Sequence, residues 1–275
     1  MAALETIARP RRERIAHHAR VVRVTAAAEF KLKYSGSALG YVWSVVKPLG
    51  LFAMLYVVFG RFMRLGNFPH YPVYLLVGIV FWTYFGDAST LSMYSLVNRG
   101  GLISKLAFPR LIVPLSVSTT TAITLLINLG VVGLFLAANR IVPRVEWLLL
   151  IPLLLYLVVV TLGVGMILAP LFVRLRDVSQ VWELVLQLMF YASPIIYPVS
   201  FLPSWWKPIA FLSPFVQIIQ DARWAILPTS TPIDTPTSIY GGPWGELVPL
   251  AVAVLIVGGG YLFFRREAPY VAERL

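Results

Sequence analysis

Six apolar runs divide the chain: Trp43–Phe62, Val73–Ser95, Leu111–Ala138, Leu148–Val173, Val181–Tyr197 and Leu247–Phe264. A bilayer core of about 30 Å takes roughly 20 apolar residues per helix, so each run is read as a transmembrane helix. After Tyr197 the pattern changes. In "PVSFLPSWWKPIAFLSPFVQIIQDARWAILP" the apolar pieces are cut by Pro198, Pro203, Pro208, Pro214 and Pro228 into lengths too short to cross. They are expected as re-entrant or interfacial helices, which membranes tolerate where they lie against protein or line a cavity. Ahead of the first run, Ile15, Ala19, Val22, Ala26 and Phe30 recur at helical spacing among basic residues until Gly36. This predicts a basic amphipathic helix on the membrane surface, either a docking element for a cytoplasmic partner or a lipid anchor. The expected fold is therefore all-α and integral to the membrane: an interfacial segment at 1–40, a transmembrane domain at 41–267 and a cytoplasmic tail at 268–275.

Composition agrees with the pattern: 59% of residues are apolar and 13% charged, the reverse of a nucleic-acid-binding domain despite a formal charge of +11. The cations fall between the apolar runs. Sixteen Lys or Arg lie on the side of the N-terminal segment and six on the other, with Lys47 inside the first run. Positive residues are retained on the cytoplasmic side, so both termini are expected there. The first forty residues carry eight Lys or Arg and no apolar h-region, so the first span is expected to act as its own insertion signal.

Chemistry is sparse. There is no cysteine, which removes disulfides and thiolate metal sites. No Walker A sequence occurs, so ATP hydrolysis must come from another chain. His17, His18 and His70 lack metal-ligand spacing. Asp87 stands out because a charge at mid-membrane costs about 2.5–3.5 kcal/mol on insertion scales and normally faces protein or water. It sits in "FGDASTLSMYS" and is expected to face a cavity or a helix contact. Rings at span ends suit an interfacial belt, whereas mid-span Phe52, Tyr56 and Phe190 can line a path on which sugar rings stack.

Three stretches, "KYSGSALGYVWSVVKPLG" (33–50), "NRGGLISKLAFPRLIVPLS" (98–116) and "RLRDVSQVWELVLQLMFYASPIIYP" (174–198), resemble the recurring blocks of type-2 ABC transporter permeases. The resemblance is to the exporters of polysaccharides such as O-antigen, teichoic acid or galactan, and it covers roughly residues 29–267. It implies a homodimer of six-span subunits in the bacterial cytoplasmic membrane, two copies of a cytoplasmic ABC ATPase that carry the ATP and Mg, and a polyprenyl-linked glycan as substrate. On this reading the chain is no enzyme and binds no cofactor, metal or nucleic acid. ATPase coupling falls to Asn98, Arg99, Leu102, Ile103, Lys105, Phe108 and Arg110, with Arg174, Arg176 and Asp177 as a second contact. Phe52, Tyr56, Trp82, Asp87, Phe190 and Tyr191 are expected along the substrate path, and Tyr197, Phe201, Trp205 and Trp206 at an external gate. The family pattern has Asn-Pro at the second gate helix where this chain has Ser213-Pro214. A permease for drugs or small lipids shares this architecture. A lipid-linked sugar transferase and a secondary transporter fit less well, since Asp221, Asp234 and Glu246 are widely spaced and only Asp87 qualifies as a coupling-ion ligand.

Overall fold

The computed structural model describes residues 42–100 and 111–274, and every regular element among them is helical. We number the helices α1 (Val42–Leu55, continued by a π-helical Tyr56–Phe62), α2 (Tyr71–Asn98), α3 (Ile112–Ala138), α4 (Leu150–Arg174) and α5 (Val178–Ala192). Then come α6 (Trp206–Phe211), α7 (Pro214–Ile226), α8 (Pro236–Tyr240) and α9 (Leu247–Arg274). Five segments are long and apolar enough to cross a membrane: Val42–Phe62, Tyr71–Asn98, Ile112–Ala138, Val145–Arg174 and Pro243–Val271. These coincide with five of the six runs read from the sequence. The sixth, Val181–Tyr197, forms instead a 15-residue α5 that stops at Ala192. Ser193-Pro194 turns the chain away because proline cannot continue the helical hydrogen-bond ladder. The predicted N-terminal helix lies outside the described residues.

Helix α2 is the centre of the bundle. Two thirds of its most apolar window is buried, 67% against 28% or less for each other span. It packs on α3 and α4, and α4 packs in turn on α9. Close approach rests on small residues: a Cβ on Gly260 of α9 would collide with the carbonyl of Gly163 on α4. Several Ser and Thr hydroxyls buried in these helices are satisfied within their own helix. Ser116 donates to the Ile112 carbonyl at 2.8 Å, Thr120 to Ser116 at 3.0 Å and Thr161 to Leu157 at 2.7 Å. Such bonds let serine and threonine sit in an apolar interior at low cost.

The short helices are fastened to this bundle by two arginines. Arg223 of α7 is fully buried. Its Nε donates to the Tyr74 carbonyl at 3.0 Å, and its two terminal nitrogens donate to Pro194 and Ile195 at 2.7 Å each. The guanidinium carbon stands 3.4 Å from the centre of the Tyr74 ring. Tyr71 and Tyr74 of α2 supply hydroxyls to the next two carbonyls, Ile196 at 3.0 Å and Tyr197 at 3.2 Å. Four consecutive carbonyls of a buried turn are thus bonded by side chains from α2 and α7. Arg144, in the loop before α4, closes the C-terminus of α7, donating to Trp224, Ala225 and Leu227 at 3.0, 3.1 and 2.7 Å. A cation there satisfies orphan carbonyls and opposes the helix dipole.

An uncompensated buried acceptor costs about 1–3 kcal/mol, and several would be exposed together by Arg223→Met. That variant is expected to lower the melting temperature of the detergent-solubilised protein sharply. Arg223→Lys, one point donor in place of a fork, should fall between. Gly78→Ala, whose Cβ would strike the Arg223 guanidinium, should behave like Arg223→Met. A thermal unfolding curve unchanged in all three would contradict the clamp.

Candidate functional site

A cavity of about 660 Å³ opens among α1, α2 and α3. Each helix contributes one face. From α1 come Trp43, Ser44 and Lys47; from α2 Thr83, Tyr84, Asp87 and Thr90; from α3 Thr121, Thr124 and Asn128, with apolar Val80, Leu91 and Leu125 between them. The spacing is that of a helix surface: 83, 84, 87 and 90 on α2, and 121, 124, 125 and 128 on α3, so side chains three and four apart converge. One cation and one carboxylate, Lys47 and Asp87, line the same space with hydroxyls, an amide and an indole. Asn128 Nδ2 donates to the Thr124 carbonyl at 3.0 Å, fixing that amide at the wall. Such a lining can accept and donate hydrogen bonds to a hydroxyl-rich solute while an aromatic face takes its C–H surface. Among the described residues no group of three or more His, Cys, Asp or Glu stands ready to hold a metal ion.

Of the residues expected along a path, Asp87 reaches this cavity; the five aromatic ones are placed elsewhere. Phe52 stacks on Tyr56 at 5.7 Å between centroids and meets Phe135 edge-on at 5.3 Å. Tyr56 also stacks on Tyr71 at 6.3 Å. Trp82 sits among Phe85, Phe190 and Phe215, at 5.8, 5.5 and 5.3 Å. Phe190 is buried, and its neighbour Tyr191 is exposed. The gate residues lie together on the short-helix side: Phe201 and Trp205 are exposed, Trp205 meets Trp206 at 5.5 Å, and the Tyr197 hydroxyl donates to the Tyr191 carbonyl at 2.8 Å. Ser213 caps α7 by backbone geometry without a side-chain hydrogen bond, and Pro214 opens the helix.

Of the expected coupling residues, Asn98 ends α2 and Arg99 is its C-cap, whereas Leu102, Ile103, Lys105, Phe108 and Arg110 lie outside the described residues. Arg174 ends α4 and Asp177 caps α5; Arg176, exposed between them, stands 5.1 Å over the Phe172 ring. The sequence reading missed Ser44, Thr83, Tyr84, Thr121, Thr124 and Asn128 as cavity residues and noted Lys47 only as a charge inside a span. The signal was present. On both α2 and α3 the polar positions recur at three- and four-residue intervals within an apolar run.

A second polar cluster ties α7 to the bundle. Gln217 donates from Nε2 to Glu246 Oε2 at 2.5 Å, and the Tyr156 hydroxyl donates to Gln217 Oε1 at 3.2 Å. Asp221, one turn further along α7, is pushed up to about 8 by burial, with the Glu246 charge adding to the shift and a hydrogen bond from Gln217 opposing it.

Helices long and apolar enough to cross a membrane, with an open cavity carrying polar groups among three of them, fit a multi-pass protein of the transport class. The chain belongs to the ABC-2 type transporter family, which it matches over residues 20–227. It is 33% identical over 196 residues to the O-antigen export system permease protein RfbA of Klebsiella pneumoniae, covering 71% of this chain and 75% of that protein. Its identity with the Myxococcus xanthus protein of the same name is 28% over 172 residues, 62% of this chain and 66% of the relative. The polysialic acid transport protein KpsM of Escherichia coli is 24% identical over 222 residues, 76% and 83% of the two chains.

A carboxyl whose folded pKa is raised adds stability below its unfolded pKa, and that stability is lost as pH rises through the folded value. For Asp221 the loss runs from the ordinary carboxylate range up to about 8. Asp221→Asn should therefore gain on the wild type as the pH of a thermal-shift series rises, and level off beyond that point. A constant difference across the series would contradict the shift.

Proposed function

We propose that this chain is the membrane subunit of an ATP-driven exporter of polysaccharide. Membership of the ABC-2 family and relatives named for O-antigen export and polysialic acid transport support this reading over a permease for drugs or small lipids. The observation that carries it is the cavity of Trp43, Lys47, Asp87 and Asn128, whose chemistry matches that of a sugar: an aromatic face for C–H groups, amide, hydroxyl and carboxylate for hydroxyls. The substrate is then a glycan on a polyprenyl carrier, moved across the bacterial cytoplasmic membrane.

Two copies of the chain act with two copies of a cytoplasmic ABC ATPase, which supplies the ATP and Mg site that this sequence lacks. Both termini are cytoplasmic, in keeping with the charge distribution. In this topology α5 supplies the remaining crossing, the fifth in chain order. Its 15 residues span about 22 Å at ~1.5 Å per residue, and the buried turn that follows completes the passage. Helices α6 and α7 re-enter from outside as a gate with Tyr197, Phe201, Trp205 and Trp206 at its mouth. Residues 98–110 carry the coupling contact, with Arg174, Arg176 and Asp177 as a second ATPase contact. A helix transmits a push from the ATPase because its backbone bonds are satisfied internally.

Removing one charge-assisted hydrogen bond to a sugar hydroxyl costs roughly 1.5–3 kcal/mol, about tenfold or more in rate if it acts in the rate-limiting state. Glycan export in cells carrying Asp87→Asn or Asn128→Leu is expected to fall by about that factor, with the chain still inserted and bound to its ATPase. Wild-type export from both, and from Trp43→Ala, would remove the cavity from the path. Charge reversal at Lys105 or Arg110 tests a different link. ATPase co-purification should drop while membrane insertion persists, and full association would exclude that turn from the contact.

A further inference from the structure

At the end of the bundle where α2 begins and α3 ends, a second cavity of about 270 Å³ is lined by His70, Arg140, Ile141, Val142, Arg144 and Pro228. We propose that it holds a phosphate group, that of a phospholipid headgroup in the outer leaflet. The leaflet rests on the topology proposed above; the binding chemistry does not.

Three nitrogen-bearing side chains meet here from two loops, Arg140 and Arg144 from the one between α3 and α4 and His70 from the one before α2. Arg144 is held in place because its Nη2 is spent on the three carbonyls at the end of α7. Its Nε stands 3.8 Å from Glu146 Oε2, the one acidic group paired with this cluster among the described residues. His70 is positioned by Thr231, whose Oγ1 lies 3.1 Å from its Nδ1. Arg140 is exposed, and among the described residues its guanidinium has no hydrogen-bond or ion-pair partner. The cavity also adjoins the N-terminus of α2, a helix of 28 residues capped by His70, whose dipole favours an anion. The local charge is therefore positive and in part unanswered.

The surroundings select the source of the anion. Val142 and Val145 are 74% and 81% exposed, and Leu134 on α3 and Leu148 before α4 are 71% and 67% exposed. A free anion gains nothing from that apolar rim. A lipid gains twice, with its phosphate among Arg140, Arg144 and His70 and its acyl chains against the leucines and valines of the spans. Arg is suited to this task because its planar fork bonds two phosphate oxygens at once.

The test uses the full chain with its ATPase partner, purified in a neutral detergent and titrated with dihexanoyl phosphatidylglycerol, inorganic phosphate and dihexanoylglycerol. Saturable binding of the phosphatidylglycerol is expected, weakened by about tenfold in Arg140→Gln, the loss of one charge-assisted contact. Arg61→Gln, which removes an equal charge from an exposed position outside the cavity, should leave it unchanged. His70→Asn provides a second variant at the site should Arg140→Gln fold poorly. Inorganic phosphate binding as tightly as the lipid would overturn the headgroup as source and keep the anion site. Equal binding of dihexanoylglycerol, or an equal loss in Arg61→Gln, would overturn the site itself. Because binding is read without transport, a failed export assay leaves this result standing. The leaflet is checked in the cysteine-free chain by Ser230→Cys and a membrane-impermeant thiol reagent on whole cells. Labelling from outside is expected, and labelling only after lysis would overturn the outer assignment.

Discussion

A buried turn with four bare carbonyls is the constraint on which the rest of this structure depends. Residues 193–198 leave α5 and pass through the protein interior, where no secondary structure pairs Pro194, Ile195, Ile196 or Tyr197. A peptide group left unsatisfied there would be costly, and the chain meets the need with one arginine and two tyrosines. Those donors come from α7 and α2, so satisfying the turn also fixes the short helices to the central span. The tyrosines lie one turn apart on α2, the spacing at which two side chains reach along the same face. The position of the short helices and the geometry of the bundle are therefore one problem with one solution.

The spans were legible because a bilayer crossing writes itself as an unbroken apolar run, and five of the six runs form long helices, the last of which continues past Phe264 to Arg274. The stretch at 181–197 was legible as apolar but not as interrupted. Pro194 was read as lying inside the span and Pro198 as the first break beyond it, whereas the helix already stops at Ala192, two residues before Pro194. The site was legible only in part. Asp87 announced itself by being a charge within a span, whereas Thr83, Thr124 and Asn128 are ordinary alone and matter through convergence of three helices.

The aromatic residues show why composition cannot assign a path. Phe52, Trp82 and Phe190 carry the residue types that sugar stacking requires, yet each ring already has aromatic neighbours at 5.3–5.8 Å within the subunit. Rings bury more area against one another than most pairs, so they gather wherever a core needs volume. Arg223 makes the converse point. In the sequence it counts as one more cation on the less basic side, and its burial becomes visible only when Tyr74 and the turn are brought to it.

The burial of α2 has a consequence for how the protein is made. Its mean hydropathy, 1.2, is the lowest of the five candidate spans, the others lying between 1.8 and 2.6. The span that is most enclosed by protein is also the one that gains least from lipid. Lipid gives α2 the weakest drive to insert, so its packing against α3 and α4 has to supply the difference. Once assembled, the neighbours hide the polar face that lipid would reject. The order of synthesis places the most hydrophilic crossing between two greasier ones, so that the membrane never has to solvate it alone.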